Sequence, residues 1–93
     1  MNIVGFDWDK GNAVHCQKHG VTREEIEFLF SNEPRVFPDP FVSERRLRAI
    51  GRNAAGRYLY VVFMFKELEQ QKYIRPISAR YMHKKEVEHY ERR

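Results

Sequence analysis

Ninety-three residues hold one hydrophobic core and leave no room for a second, so a single domain over residues 1–93 is expected. With 42% hydrophobic and 32% charged residues the chain is a small globular protein rather than a disordered one. Lys and Arg outnumber Asp and Glu by 17 to 13, a net charge of +4, which leaves a polyanionic partner open without demanding one. The single cysteine, Cys16, excludes an internal disulfide, and no apolar run is long enough to span a bilayer. The cytoplasm is the expected compartment.

In chain order, residues 2–6 (NIVGF) read as a short edge strand. Residues 8–20 follow as a helix, with Asp9 as N-cap and Gly20 as the left-handed stop. The stretch VTREEIEFLF predicts a second helix. Thr22 and Glu25 have capping-box spacing, Val21 can staple to Ile26, and Ile26, Leu29 and Phe30 form one apolar stripe. The three prolines of RVFPDPFVSE require an extended or looped connection. Three strands are then predicted in RRLRAIG, RYLYVVFMF and KYIRPIS, joined as antiparallel hairpins through RNAAG and KELEQQ. Pro76 cannot donate a ladder hydrogen bond, so its strand is either an edge or bulged. Ser78 is expected to cap a closing helix over ARYMHKKEVEHYERR. The resulting order, β-α-α-β-β-β-α, indicates an α+β fold with helices on one face of a small antiparallel sheet and an open second face carrying Arg and Tyr.

Several residues could carry chemistry. His15 and His19 are four apart on one helix and could share a metal ion, but no third or fourth ligand accompanies them, so neither a metal nor another cofactor is expected. Lys18 and His19 also suit a helix end, where cations complement the dipole. Arg46 and Arg48 share one strand face. Arg75 interrupts an apolar run and either emerges on a functional face or pairs with Glu44 or Glu67. Arg80 is expected at a strand-to-helix junction, where backbone N–H groups and a guanidinium can hold phosphate oxygens, with Tyr81 and His83 in the same turn. With no nucleophile constellation and no phosphate-binding glycine loop, the inventory suits metal-free attack by a ribose 2′-OH, which restricts the substrate to RNA.

The fragments FDWD (6–9), KHGV (18–21), EIEFLF (25–30), PDP (38–40), AIGR (49–52) and IRPISARYMHKKE (74–86) stand in the order found in the BrnT family of ribonuclease toxins, which the chain resembles almost end to end. The resemblance implies a RelE-like fold, cleavage of RNA, inhibition of translation, and a cognate antitoxin with a ribbon-helix-helix DNA-binding domain, so that DNA is contacted only through that partner. Carried over residue by residue, it points to Arg80 and then Arg75 as phosphate clamps. His19 is the expected proton-transfer group, with Tyr81 and His83 as alternatives; Lys18 and Arg46 also stand at family positions and, with Arg48 on the same strand face as Arg46, are expected as further RNA-phosphate contacts. The stretch PDPFVSERRLR departs from the family pattern: Val42 stands where relatives have a histidine, and Arg45 where they have a second acid. The alternative to a catalyst is a module that binds RNA or a protein partner through its basic face without cutting.

Overall fold

The computed structural model describes residues 3–39 and 45–92. The expectations placed on Asn2, Pro40, Val42, Glu44 and Arg93 lie outside the described residues. The elements run β1 (Ile3–Phe6), α1 (Lys10–Cys16), α2 (Arg23–Ser31), β2 (Arg35–Pro38), β3 (Leu47–Arg52), β4 (Tyr58–Leu68), β5 (Gln71–Tyr81) and α3 (Lys84–Glu91). The strands form one sheet in the order β1-β5-β4-β3-β2.

Both capping boxes begin their helices. The Asp9 side chain accepts from Asn12 N at 2.9 Å while Asn12 Oδ1 accepts from Asp9 N at 2.7 Å. Thr22 and Glu25 exchange the same pair of bonds at 3.1 and 2.9 Å. Gly20 has the expected positive φ of +89°, but it does not stop the helix: α1 ends at Cys16 with Gln17 as its C-cap, and Gly20 closes the turn that follows. On β4, Leu59, Val61 and Phe63 are fully buried and alternate with Tyr58, Tyr60 and Val62 on the opposite face. The core joins these to Val21, Ile26, Leu29, Ala49, Ile74, Ala79 and Cys16. Phe30 meets Phe63 edge-on with ring centroids 4.8 Å apart. Burying Phe63 completely contributes on the order of 2 kcal/mol. A Cβ on Gly51 would lie 3.1 Å from Leu29 Cγ, so glycine there lets α2 seat directly on β3.

Four features differ from the sequence-based expectation. First, Arg35–Pro38 is a strand, pairing antiparallel with β3 as the far edge of the sheet, where its proline is tolerated. Second, β1 runs parallel to β5, so the sheet is mixed. Third, KELEQQ is almost all strand: only Glu69 and Gln70 turn, both with positive φ (50° and 66°). Adopting that conformation without glycine costs about 1 kcal/mol per residue, which the long β4–β5 pairing offsets. Fourth, β5 continues through Tyr81, and α3 begins only after His83, its N-cap. Ser78 is therefore not a cap, and Arg80 and Tyr81 are strand residues, paired with Tyr60 and Leu59. Local propensity in SARYM is weak, and hydrogen bonding to β4 decides the matter.

Pro76 resolves as a bulge rather than an edge. β5 lies between β1 and β4, and the register jumps from Val62–Ser78 to Phe63–Pro76, leaving Ile77 as the extra residue. Beyond the end of β1, α1 flanks β5. The buried Asn12 donates to Asp7 O at 2.9 Å and Pro76 O at 2.8 Å, satisfying a β5 carbonyl that has no neighbouring strand.

The second sheet face is not left open. α3 lies across it, although none of its residues is buried. Bonds from the sheet hold it: Arg80 Nη1 and Nη2 donate to the two Glu86 oxygens at 2.7 and 2.9 Å. At its far end Glu91 accepts from Tyr58 at 3.2 Å and Arg52 at 3.4 Å. Tyr90 packs edge-on against Tyr58, with centroids 5.6 Å apart. No described helix is long and apolar enough to cross a membrane.

Candidate active site

At the C-terminal end of β5, the last turn of α1 meets the sheet. His15 on that last turn and His19 in the turn that follows α1 line a recess of about 210 Å³ together with Tyr60, Ser78 and Arg80. A second recess of about 400 Å³ shares His19 and Arg80 and adds Arg57, Tyr81, Met82 and His83. Three imidazoles, two guanidiniums and two phenols thus line two adjoining recesses that share His19 and Arg80.

Arg80 is common to both. Its guanidinium lies 4.7 Å from the Tyr60 ring centroid, a cation–π contact that fixes its plane. The bidentate bond to Glu86 is the geometry in which a guanidinium also takes a phosphate. The hydrogen bond from Arg80 drives the Glu86 carboxyl down to about 2 and raises the guanidinium's own value in turn. The side chains are 37% and 36% exposed, so solvent reaches the pair and a substrate anion can compete for it.

Tyr81 is anchored. Its hydroxyl lies 2.9 and 3.0 Å from the two Glu25 oxygens, and Arg57 stacks on its ring at 3.7 Å. The Glu25 hydrogen bond, with burial second, raises the phenol above its ordinary value, so the hydroxyl keeps its proton. Burial would raise Glu25, but hydrogen bonds from Thr22, Asn53 and Tyr81 outweigh it and hold the carboxyl below the usual range.

The structure thus brings together Arg80, His19, Tyr81 and His83 from the residues expected to act. The others lie elsewhere. Arg75 sits toward the other end of β5, where Nη1 donates to Asp7 at 2.9 Å and Nη2 to Asp9 at 2.8 Å. Neither expected partner is used: Glu67 does not pair with it, and Glu44 lies outside the described residues. Lys66 joins the same Asp7 at 3.7 Å. Lys18 is exposed in the turn after α1, and neither Lys18 nor Arg46 lines either recess. Arg48 faces a separate cavity beneath α3. His15, Tyr60 and Arg57 line the two recesses but were not expected there. For Tyr60 the signal was available, since its alternation with buried Leu59 and Val61 places it on the same sheet face as Arg80, its cross-strand partner. Among the described residues, no group of three or more His, Cys, Asp or Glu side chains converges as a metal site.

A stacked arginine beside imidazoles is an arrangement that can hold an anionic group and move a proton. The profile of the ribonuclease toxin BrnT, of type II toxin–antitoxin systems, matches residues 8–86, and the chain belongs to that family. No curated protein sequence matches it. A toxin of this kind has RNA as its substrate and an antitoxin as its partner.

Proposed function

We propose that this toxin cleaves RNA at the Arg80 recess, without a metal ion, by attack of a ribose 2′-OH on the adjacent phosphorus. The observation that supports this most is the convergence of Arg80 with His15 from α1, His19 from the turn that follows it and His83 beyond β5. Arg80 binds the non-bridging phosphate oxygens and stabilises the charge that develops on them. His19 accepts the 2′-OH proton, and a second imidazole, His15 or His83, returns one to the departing 5′-oxygen. The products are a 2′,3′-cyclic phosphate and a 5′-hydroxyl end. Because the substrate supplies the nucleophile, the reaction needs no activated serine or cysteine; Cys16 is wholly buried, and burial pushes its thiol up to about 11. Tyr81 serves as a positioning residue, and Arg75 as a scaffold cation joining β5 to the start of α1. In the cell, we propose, cleavage inhibits translation in the cytoplasm until a ribbon-helix-helix antitoxin covers the site and carries the pair to DNA.

One observation favours the non-catalytic reading: Arg75 and Arg80 are both already paired with carboxylates. The deciding experiment strips the antitoxin and incubates wild type and a folded Arg80→Ala variant with end-labelled RNA in EDTA. The catalytic reading requires cleavage by wild type alone, with 2′-deoxy substrate spared. Binding without cleavage by folded wild type would overturn it in favour of an RNA-binding module; there, loss of Arg80 would lower the salt slope by about one.

A further inference from the structure

A cavity of about 380 Å³ lies between α3 and the outer sheet face, within the range of small-molecule sites. Its sheet side carries Phe37, Ile50 and Tyr60, and α3 with the preceding turn supplies Tyr90 and Met82. Tyr60 also lines the Arg80 recess, so one phenol separates the two spaces, and Glu86, which grips Arg80, borders the cavity as well. Between the rings lies Arg48, 5.9 Å from the centroids of both Phe37 and Tyr60. Its Nε is buried and has no hydrogen-bond partner among the described residues. Nε is sealed from solvent, but the guanidinium's Nη1 reaches Tyr60 Oη only at 3.5 Å, which leaves terminal N–H groups for a ring carbonyl or ring nitrogen.

We infer that this cavity is a nucleobase subsite, which seats an unpaired base of the RNA strand whose phosphate Arg80 holds. The inference rests on the RNA reading above and deepens it. Aromatic walls accept the flat faces of any base, while the Arg48 donors, with Lys85 at the margin, favour a base whose edge offers acceptors, as guanine and uracil do. Bases within a duplex are stacked and cannot enter, so the subsite selects single-stranded segments. A purely apolar guest, such as a leucine side chain, would offer the Arg48 guanidinium no acceptor. The phosphate recess beyond Tyr60 would have no use for it.

Two measurements test this. In the first, random-sequence RNA is cut by wild type, Phe37→Ala and Tyr90→Ala, each verified folded by its amide spectrum, and the cut sites are sequenced. The subsite requires a base preference at one position beside the cut, with preferred sites cut about tenfold more slowly by either variant and the preference flattened. A preference unchanged in both variants would overturn it. The second does not depend on cleavage: guanosine and uridine 3′-monophosphates, and ribose 5-phosphate as a baseless control, are titrated against wild type while aromatic resonances are followed. Shifts at Phe37, Tyr60 and Tyr90 with the nucleotides alone support the subsite, even if no RNA is cut and the catalytic reading falls. Equal responses to the baseless control, or none to the nucleotides, would overturn the subsite even in an active ribonuclease.

Discussion

Arg75 and Arg80 lie five residues apart on the same strand, and each holds carboxylates, yet their surroundings differ. Arg75 is 22% exposed and bridges Asp7, which follows β1, and Asp9, which caps α1. Its partners belong to the frame of the fold. Arg80 is paired with a single carboxylate on a helix that buries nothing, and it faces three imidazoles across an open recess. An ion pair alone therefore does not distinguish a scaffold arginine from one proposed to bind substrate; what its partner is attached to does.

The largest effect expected from breaking that contrast is on catalysis. Arg80→Ala should lower the cleavage rate about 100-fold or more while the melting temperature changes little, measured on labelled RNA beside a thermal scan. Arg75→Ala should do the reverse. Losing the sheltered bond to Asp7 should lower the melting point by roughly 5–10 °C, with the specific rate of the folded fraction retained. A collapse of rate in folded Arg75→Ala would erase the distinction. His19→Gln should also cost about 100-fold and remove one limb of the pH–rate profile, which a structural histidine would leave in place.

Smaller effects fall on α3. Glu86 is depressed in the folded protein to about 2, so its contribution is fully present above the ordinary carboxylate value near 4.5 and is lost as pH falls through about 2. NMR of α3 should therefore show its first turn loosening from the sheet in that acid window, and Glu86→Gln, which removes the titrating carboxyl, should abolish the transition. The same variant should bind uncleavable RNA several-fold more tightly, because phosphate no longer competes with a carboxylate for Arg80; unchanged affinity would show that Glu86 does not guard the seat. The smallest change is expected at the other end of the helix. Arg52 and Glu91 are 56% and 50% exposed, and Arg52→Ala should leave the melting temperature within error.

Much of the frame was legible in the sequence because it is encoded locally. Capping boxes operate over three residues, and the alternation of LYVVF sorts core from surface within a single strand. The Pro76 bulge was one of two alternatives that a missing N–H allows. Membership of the toxin family was legible too, through short fragments kept in register along the chain. Local signals were silent about the site. Whether residues 78–81 are strand or helix depends on β4, some twenty residues earlier, and pairing with β4 drew Arg80 out of the expected helix start. The His15–His19 turn meets Ser78 and Arg80 only because Asn12 docks α1 against Pro76, 64 residues away. Likewise α3, polar enough to read as a solvated cap, is laid over the aromatic face by Arg52, Tyr58 and Arg80, and creates a cavity that no local pattern specifies. The sequence by itself determined the starts of α1 and α2 and the buried face of β4, because hydrophobic periodicity and capping act between near neighbours. Only the tertiary structure decided which arginine is framework and which faces the recess, because long-range pairing chooses each cation's partner.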